Sequence, residues 1–328
     1  NCSLPLLIAH CSPKDMHPAF SVIFLTTLIG VGQGLFLALY VAEAGALFEL
    51  LPAQEGGGFF AAGSALALGF LAAGLFASFF HLGHPERAWR SAAMWRTSWL
   101  SREVIVLPGF MAAVFAYGLA HYLGFGGTLM LGGLGVLLCL GLFICTGMIY
   151  ACLRFLQEWA TPLTVVNFIL LGCASGFTFA AAFAAVAGGG VTLVFGEWAV
   201  VLALAAMCTR VAALVRNRRI KPKSSLQTAI GVKHPRIAQK AQGFMGGSFN
   251  TREFFHGRQP SVLRLVKWTF LVLAFPVPVA LLLAAMALNS QPFFMLAFAV
   301  QYCGLVAERW FFFAQANHPQ NLYYQAIS

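Results

Sequence analysis

Residues 127–151, GTLMLGGLGVLLCLGLFICTGMIYA, contain no charged side chain. As a helix they measure roughly 37 Å, against a bilayer hydrocarbon layer of roughly 30 Å. In lipid the backbone amides must be satisfied within helices or closed barrels, and a barrel strand alternates apolar with polar residues. This run does not alternate, so it reads as a membrane-spanning helix. Seven other runs follow the same pattern, and the expected spans are 19–45, 58–80, 103–123, 127–151, 162–187, 191–214, 265–288 and 292–314. The expected class is therefore an all-α integral membrane protein with eight transmembrane helices. Only 9% of the 328 residues are charged, where a soluble domain has roughly 25%.

An even number of spans puts both termini on one side of the membrane, and the basic residues say which side. Arg87, Arg90, Arg96 and Arg102 lie between spans 2 and 3, Arg154 between spans 4 and 5, and a series from Arg216 to Arg264 between spans 6 and 7. Segments 46–57, 124–126, 188–190 and 289–291 contain no Lys or Arg. The positive-inside rule then makes the basic loops and both termini cytoplasmic. The net charge of +10 belongs to that face and does not imply a nucleic-acid partner. The chain divides into an extension (1–18), helices 1–6 (19–214), a long basic loop (215–264), helices 7–8 (265–314) and a tail (315–328). The opening residues do not form a secretory signal; Met16 reads as a start, with residues 1–15 as an upstream extension.

The chemistry-bearing motifs exclude more than they suggest. Cys139, Cys145, Cys152, Cys173, Cys208 and Cys303 are spaced singly along apolar helices, without the paired spacing of a zinc or iron–sulfur site, and read as small buried hydrophobes. His121 and His81 belong to opposite ends of their spans, so no haem pair is expected. Neither a metal nor haem is expected in this chain. Walker, G-x-G-x-x-G and H-E-x-x-H motifs are absent from the sequence.

The segment joining spans 2 and 3, HLGHPERAWRSAAMWRTSWLSRE, is different. Gly83 and Pro85 are expected to stop helix 2, Ser101 to cap helix 3, and Trp89, Trp95 and Trp99 to sit among lipid headgroups. An amphipathic stretch along the membrane surface then brings His81 and Glu103 near one another. Tryptophan and arginine are also ordinary interfacial anchors, and a Glu in the first turn of a helix complements its dipole. A histidine that exchanges protons near neutral pH, in apolar surroundings, suits a quinone.

HLGHPERAW, SWLSREV, MIYACLRFLQEWATPLTVVNF and AERWFFFAQANHPQNLYYQ resemble the membrane-anchor subunit of dimethyl sulfoxide reductase and its relatives, which include the anchor of quinone-linked sulfite dehydrogenase. The resemblance implies an eight-helix subunit without redox metal. It binds quinone, ubiquinone or menaquinone, beside a ferredoxin-like iron–sulfur subunit that contacts a molybdopterin catalytic subunit. By position the family's quinol-site histidine corresponds to His81 and its important carboxylate to Glu103. Gln33 matches a polar position of the family and Arg309 its last-helix arginine, next to Glu308. Arg87 and Arg309 are the candidates for stabilising charge on a quinone oxygen. Whether Glu308 and Arg309 pair with each other or face the site separately stays open in the sequence.

The chain departs from the dimethyl sulfoxide reductase anchor in the long basic insert between spans 6 and 7. Docking of a soluble subunit, contact with anionic lipid and disorder are the three readings of that insert. Its GFMGGSFNTREFFHGR stretch favours docking, with Phe249, Arg252, Phe254 and Phe255 as contacts alongside Arg90 and Arg96. A basic, internal H-L-G-x-P loop puts the iron–sulfur partner in the cytoplasm of a bacterium, which fits the sulfite dehydrogenase relatives, with electrons passing to membrane quinone. The alternative is a reductase anchor that oxidises menaquinol. Less favoured are a secondary transporter, for which PVPV at 276–279 is the one cue, and a purely structural tether.

Overall fold

The computed structural model describes residues 20–54, 56–80, 84–188, 190–221, 223, 225–234, 236–237 and 260–316. The described residues form helices joined by turns, with no strand. In chain order these are α1 (Phe20–Leu47), α2 (Gly58–Phe79), a 3-10 segment (Pro85–Met94), α3 (Trp99–Leu123), α4 (Thr128–Ala151) and α5 (Pro162–Ala187). After them come α6 (Thr192–Arg218), the short α7 (Leu226–Ile230), α8 (Pro260–Leu273), α9 (Pro276–Leu288) and α10 (Gln291–Ala314). Among the described residues, seven helical runs are long and apolar enough to cross a membrane: α1 to α6, and the run Ser261–Leu288 made by α8 and α9 together. The chain is an integral membrane protein. The last expected span, α10, has the length, at 24 residues, but Gln301, Glu308 and Arg309 dilute its apolar character.

Most span boundaries fall within a few residues of expectation, and two differences matter. Helix α3 begins at Trp99 rather than 103, because Ser98, not Ser101, is its cap: Ser98 Oγ accepts from Ser101 N at 3.3 Å. Glu103 therefore lies beyond the first turn, where the helix dipole no longer accounts for it. The expected seventh span is broken in two. Pro276 and Pro278 lack amide hydrogens, and Phe275, at φ −126° and ψ −79°, is not helical. The cysteine expectation holds in part: Cys139, Cys145 and Cys173 are buried, while Cys152, Cys208 and Cys303 are exposed on the perimeter.

Helices α1 and α5 are the most buried pair and form the axis of the bundle. Helix α1 packs on α2, α4, α5 and α10, and α5 packs on α1, α4, α6 and α10. Glycine permits the central contact, since a Cβ on Gly176 would fall on the backbone of Gly34. Small residues serve this purpose in membranes, where close packing replaces the missing hydrophobic drive. Phe36, Phe110, Phe143 and Tyr117 fill the interior beside that axis, with Phe36 meeting Phe110 and Tyr117 edge-on at 5.4 Å.

Candidate functional site

Buried polar side chains collect at both ends of the bundle. Toward the end where α1, α3 and α5 begin and α4 and α10 finish lies a narrow crevice, part of it open to the outside. Its apolar walls are Leu25, Ile29, Phe143, Phe168, Leu171 and Leu305. The polar residues facing it include Gln33, Glu103, Thr146 and Arg309. That combination, a mostly apolar cleft with a few converging polar groups, is the usual form of a small-molecule site.

Each polar group is held from a different helix. Glu103, on α3, is buried, and its Oε1 accepts from Thr146 Oγ1 on α4 at 2.5 Å. Gln33, on α1, donates from Nε2 to the Cys139 carbonyl at 3.0 Å, so part of its amide ties α1 to α4. On α10, Arg309 stands with Cζ 3.9 Å from the Phe168 ring and 5.3 Å from that of Phe312. Its Nη2 is 3.3 Å from Glu308 Oε2. The two readings left open for Glu308 and Arg309 thus combine: they pair, and of the two only Arg309 lines the crevice. Thr146→Val is expected to strand the Glu103 carboxyl and lower stability by about 1–3 kcal/mol. Reversible denaturation in mixed micelles measures this, and Thr146→Ser should retain wild-type stability.

The other expected site residues lie elsewhere. His81, Phe249, Arg252, Phe254 and Phe255 fall outside the described residues. Arg87 is exposed on the 3-10 segment, with Nε 3.8 Å from Glu86 Oε1, and does not line the crevice. Arg90 and Arg96 are exposed, each with its guanidinium over an adjacent indole, at 5.5 Å from Trp89 and 5.4 Å from Trp95. Arg102 continues the series over Trp99 at 4.3 Å and donates to the carbonyls of Trp95 and Arg96. The surface stretch is therefore built from arginine–indole pairs.

Sequence reasoning missed two clusters. At the far end of the bundle Glu43 on α1 accepts from Thr128 Oγ1 and lies 3.3 Å from His121 Nε2, with His121 stacked on Phe60 at 4.4 Å. Near the crevice, Arg210 on α6 reaches Glu308, with Nε 2.6 Å from Oε1. The signal for the first was an acid and a histidine at matching depths of spans 1 and 3. A lone arginine near a span end carries no comparable signal.

Residues 15–306 match the family described as DMSO reductase anchor subunit (DmsC). The chain is also 57% identical over 326 residues to a sulfite dehydrogenase subunit of Allochromatium vinosum, an alignment covering 95% of this chain and all of that protein. Both findings agree with the resemblance carried by the H-L-G-x-P and S-x-E segments. The chain belongs to the DMSO reductase anchor subunit (DmsC) family.

Proposed function

We propose that the chain is the quinone-binding anchor of a molybdopterin and iron–sulfur oxidoreductase in the bacterial inner membrane. It passes electrons from a cytoplasmic ferredoxin-like iron–sulfur subunit to membrane quinone during sulfite oxidation. In this reading α10 is the eighth crossing, and both termini and the basic connections face the cytoplasm. The observation that carries it is the crevice, which gathers Gln33, Glu103 and Arg309 from three helices at the end of the bundle that bears the basic segments. The name of the Allochromatium vinosum relative supports the sulfite reaction.

The residues fit a quinone headgroup: apolar walls accept the ring, and a guanidinium and a carboxyl group are available to two polar substituents. A bound quinone takes up two electrons and two protons at its carbonyl oxygens. Arg309 donates hydrogen bonds toward such an oxygen, and its fixed positive charge favours electron density there. Glu103, oriented by the Thr146 hydroxyl, would hold a proton for a quinone oxygen and exchange it with His81, which follows α2 in the sequence and is assigned by family position. The paired arginines and tryptophans of the surface stretch, Arg90 and Arg96 among them, form the docking face for the iron–sulfur subunit.

The test is sulfite-driven quinone reduction by the complete complex in native membranes. Glu103→Gln, Arg309→Gln and His81→Ala are each expected to lower kcat/KM by about tenfold, a transition-state loss of about 1.4 kcal/mol, with assembly unchanged. Wild-type rates in all three assembled variants would remove the site from these residues.

A further inference from the structure

Arg210 is outside the crevice and nearly fully buried, with 2% of its side chain exposed, and Glu308 is buried to the same degree at 1%. Helices α6 and α10 both pack on α5, and the contact between Arg210 Nε and Glu308 Oε1, at 2.6 Å, ties them together. On its other side the Arg210 guanidinium faces the Phe270 ring of α8 at 5.5 Å. Glu308 thus serves two cations, Arg210 through Oε1 and Arg309 through Oε2.

Sharing constrains Arg309. A carboxylate beside one guanidinium draws in to a charge-assisted contact of about 2.7–2.9 Å. With Oε1 held by Arg210 at 2.6 Å, Glu308 Oε2 stays 3.3 Å from Arg309 Nη2. The Arg309 guanidinium instead stands over Phe168, a wall of the crevice, with Cζ 3.9 Å from the ring centroid. Two guanidiniums on one carboxylate also leave one positive charge in excess beside the crevice, which Glu103 lines as well.

We propose that Arg210 is a positioning residue for Arg309: by holding Glu308 toward α6 it prevents a closer Glu308–Arg309 pair and keeps the Arg309 guanidinium over Phe168, free to donate to a ligand oxygen. The ligand part of this inference rests on the quinone reading of the crevice. In Arg210→Met, Glu308 closes on Arg309 and withdraws it from the crevice wall. Ligand affinity falls although no residue that touches ligand has changed.

Two measurements on the intact complex test this. Equilibrium titration with decylubiquinone is expected to show about tenfold weaker binding for Arg210→Met, the loss of one charge-assisted hydrogen bond. Arg210→Lys should restore part of the affinity, and Arg210→Met/Arg309→Gln should bind no more weakly than Arg309→Gln alone. An electron cryomicroscopy map of Arg210→Met is expected to show Arg309 moved off Phe168 toward Glu308. Should Arg210→Met not assemble, Arg210→Lys carries both readouts, with an intermediate affinity and a smaller shift of Arg309. Arg309 unmoved over Phe168 in the variant map, or additive losses in the double variant, overturns the inference. A wild-type complex that binds no decylubiquinone overturns the quinone reading instead, and the map then judges the placement of Arg309 independently.

Discussion

Gly176→Val is expected to prevent the bundle from assembling around its axis. A Cβ at this position would overlap the Cα and carbonyl carbon of Gly34 and press on Leu35 N, and one at Gly34 would overlap the Gly172 carbonyl oxygen. Side chains can rotate away from an intruding methyl group, but two helix backbones in contact can only separate. Separation forfeits the van der Waals packing that holds helices together where lipid is as apolar as the side chains. Overpacking in an interior costs about 1–3 kcal/mol when side chains yield, and this backbone clash should exceed about 3 kcal/mol. The readout is the yield of monodisperse protein and its unfolding midpoint in detergent. Gly69→Ala is the control: nothing lies within 4 Å of a Cβ there, and alanine is the better helix former by about 1 kcal/mol. A Gly176→Val protein as stable as that control would mean α1 and α5 do not meet as described. Because Gln33 adjoins Gly34 and lines the crevice, the same substitution should also abolish any ligand binding there.

Glu308→Ala should cost about 3–5 kcal/mol, the loss that follows when one partner leaves a buried ionic cluster. It strands Arg210 and Arg309, of which 2% and 6% of the side chains are exposed, as two like charges without a counter-ion. Adding Arg210→Met should recover part of the loss, since one of the stranded cations is then gone. Denaturation of the three proteins in the same micelles checks both statements. A Glu308→Ala protein that unfolds like wild type would show that the carboxylate does not hold the two arginines.

Much of the fold could be read from the chain, for a simple physical reason. A helix that crosses the lipid layer must be apolar along nearly its whole length, so runs such as 127–151 and 162–187 nearly coincide with α4 and α5. The break before α9 was not expected, although the proline pair at 276 and 278 carries its signal. Caps were less legible, because Ser98 and Ser101 are equally suitable residues one turn apart and only tertiary geometry chose Ser98. The crevice lay further out of reach. Gln33, Glu103 and Arg309 are widely separated in sequence, and span order does not say which helices are neighbours; the family resemblance selected them. Arg210 resembles an interfacial anchor in sequence because long basic side chains near span ends ordinarily reach for water. Its burial against Glu308 and Phe270 depends on helix packing that hydropathy does not encode.

The interruption at Phe275 bears on how the chain sits in a bilayer. Ser261–Leu288 contains 28 residues; as one straight rod it would extend roughly 42 Å through a hydrocarbon slab of roughly 30 Å. A rigid rod relieves that mismatch by leaning as a single body. Jointed near its middle, the run consists instead of two half-helices, α8 and α9, each packed on α10. Each half is shorter than the slab, at roughly 21 Å for α8 and roughly 20 Å for α9, and a joint between them allows each to meet the bilayer normal at its own angle.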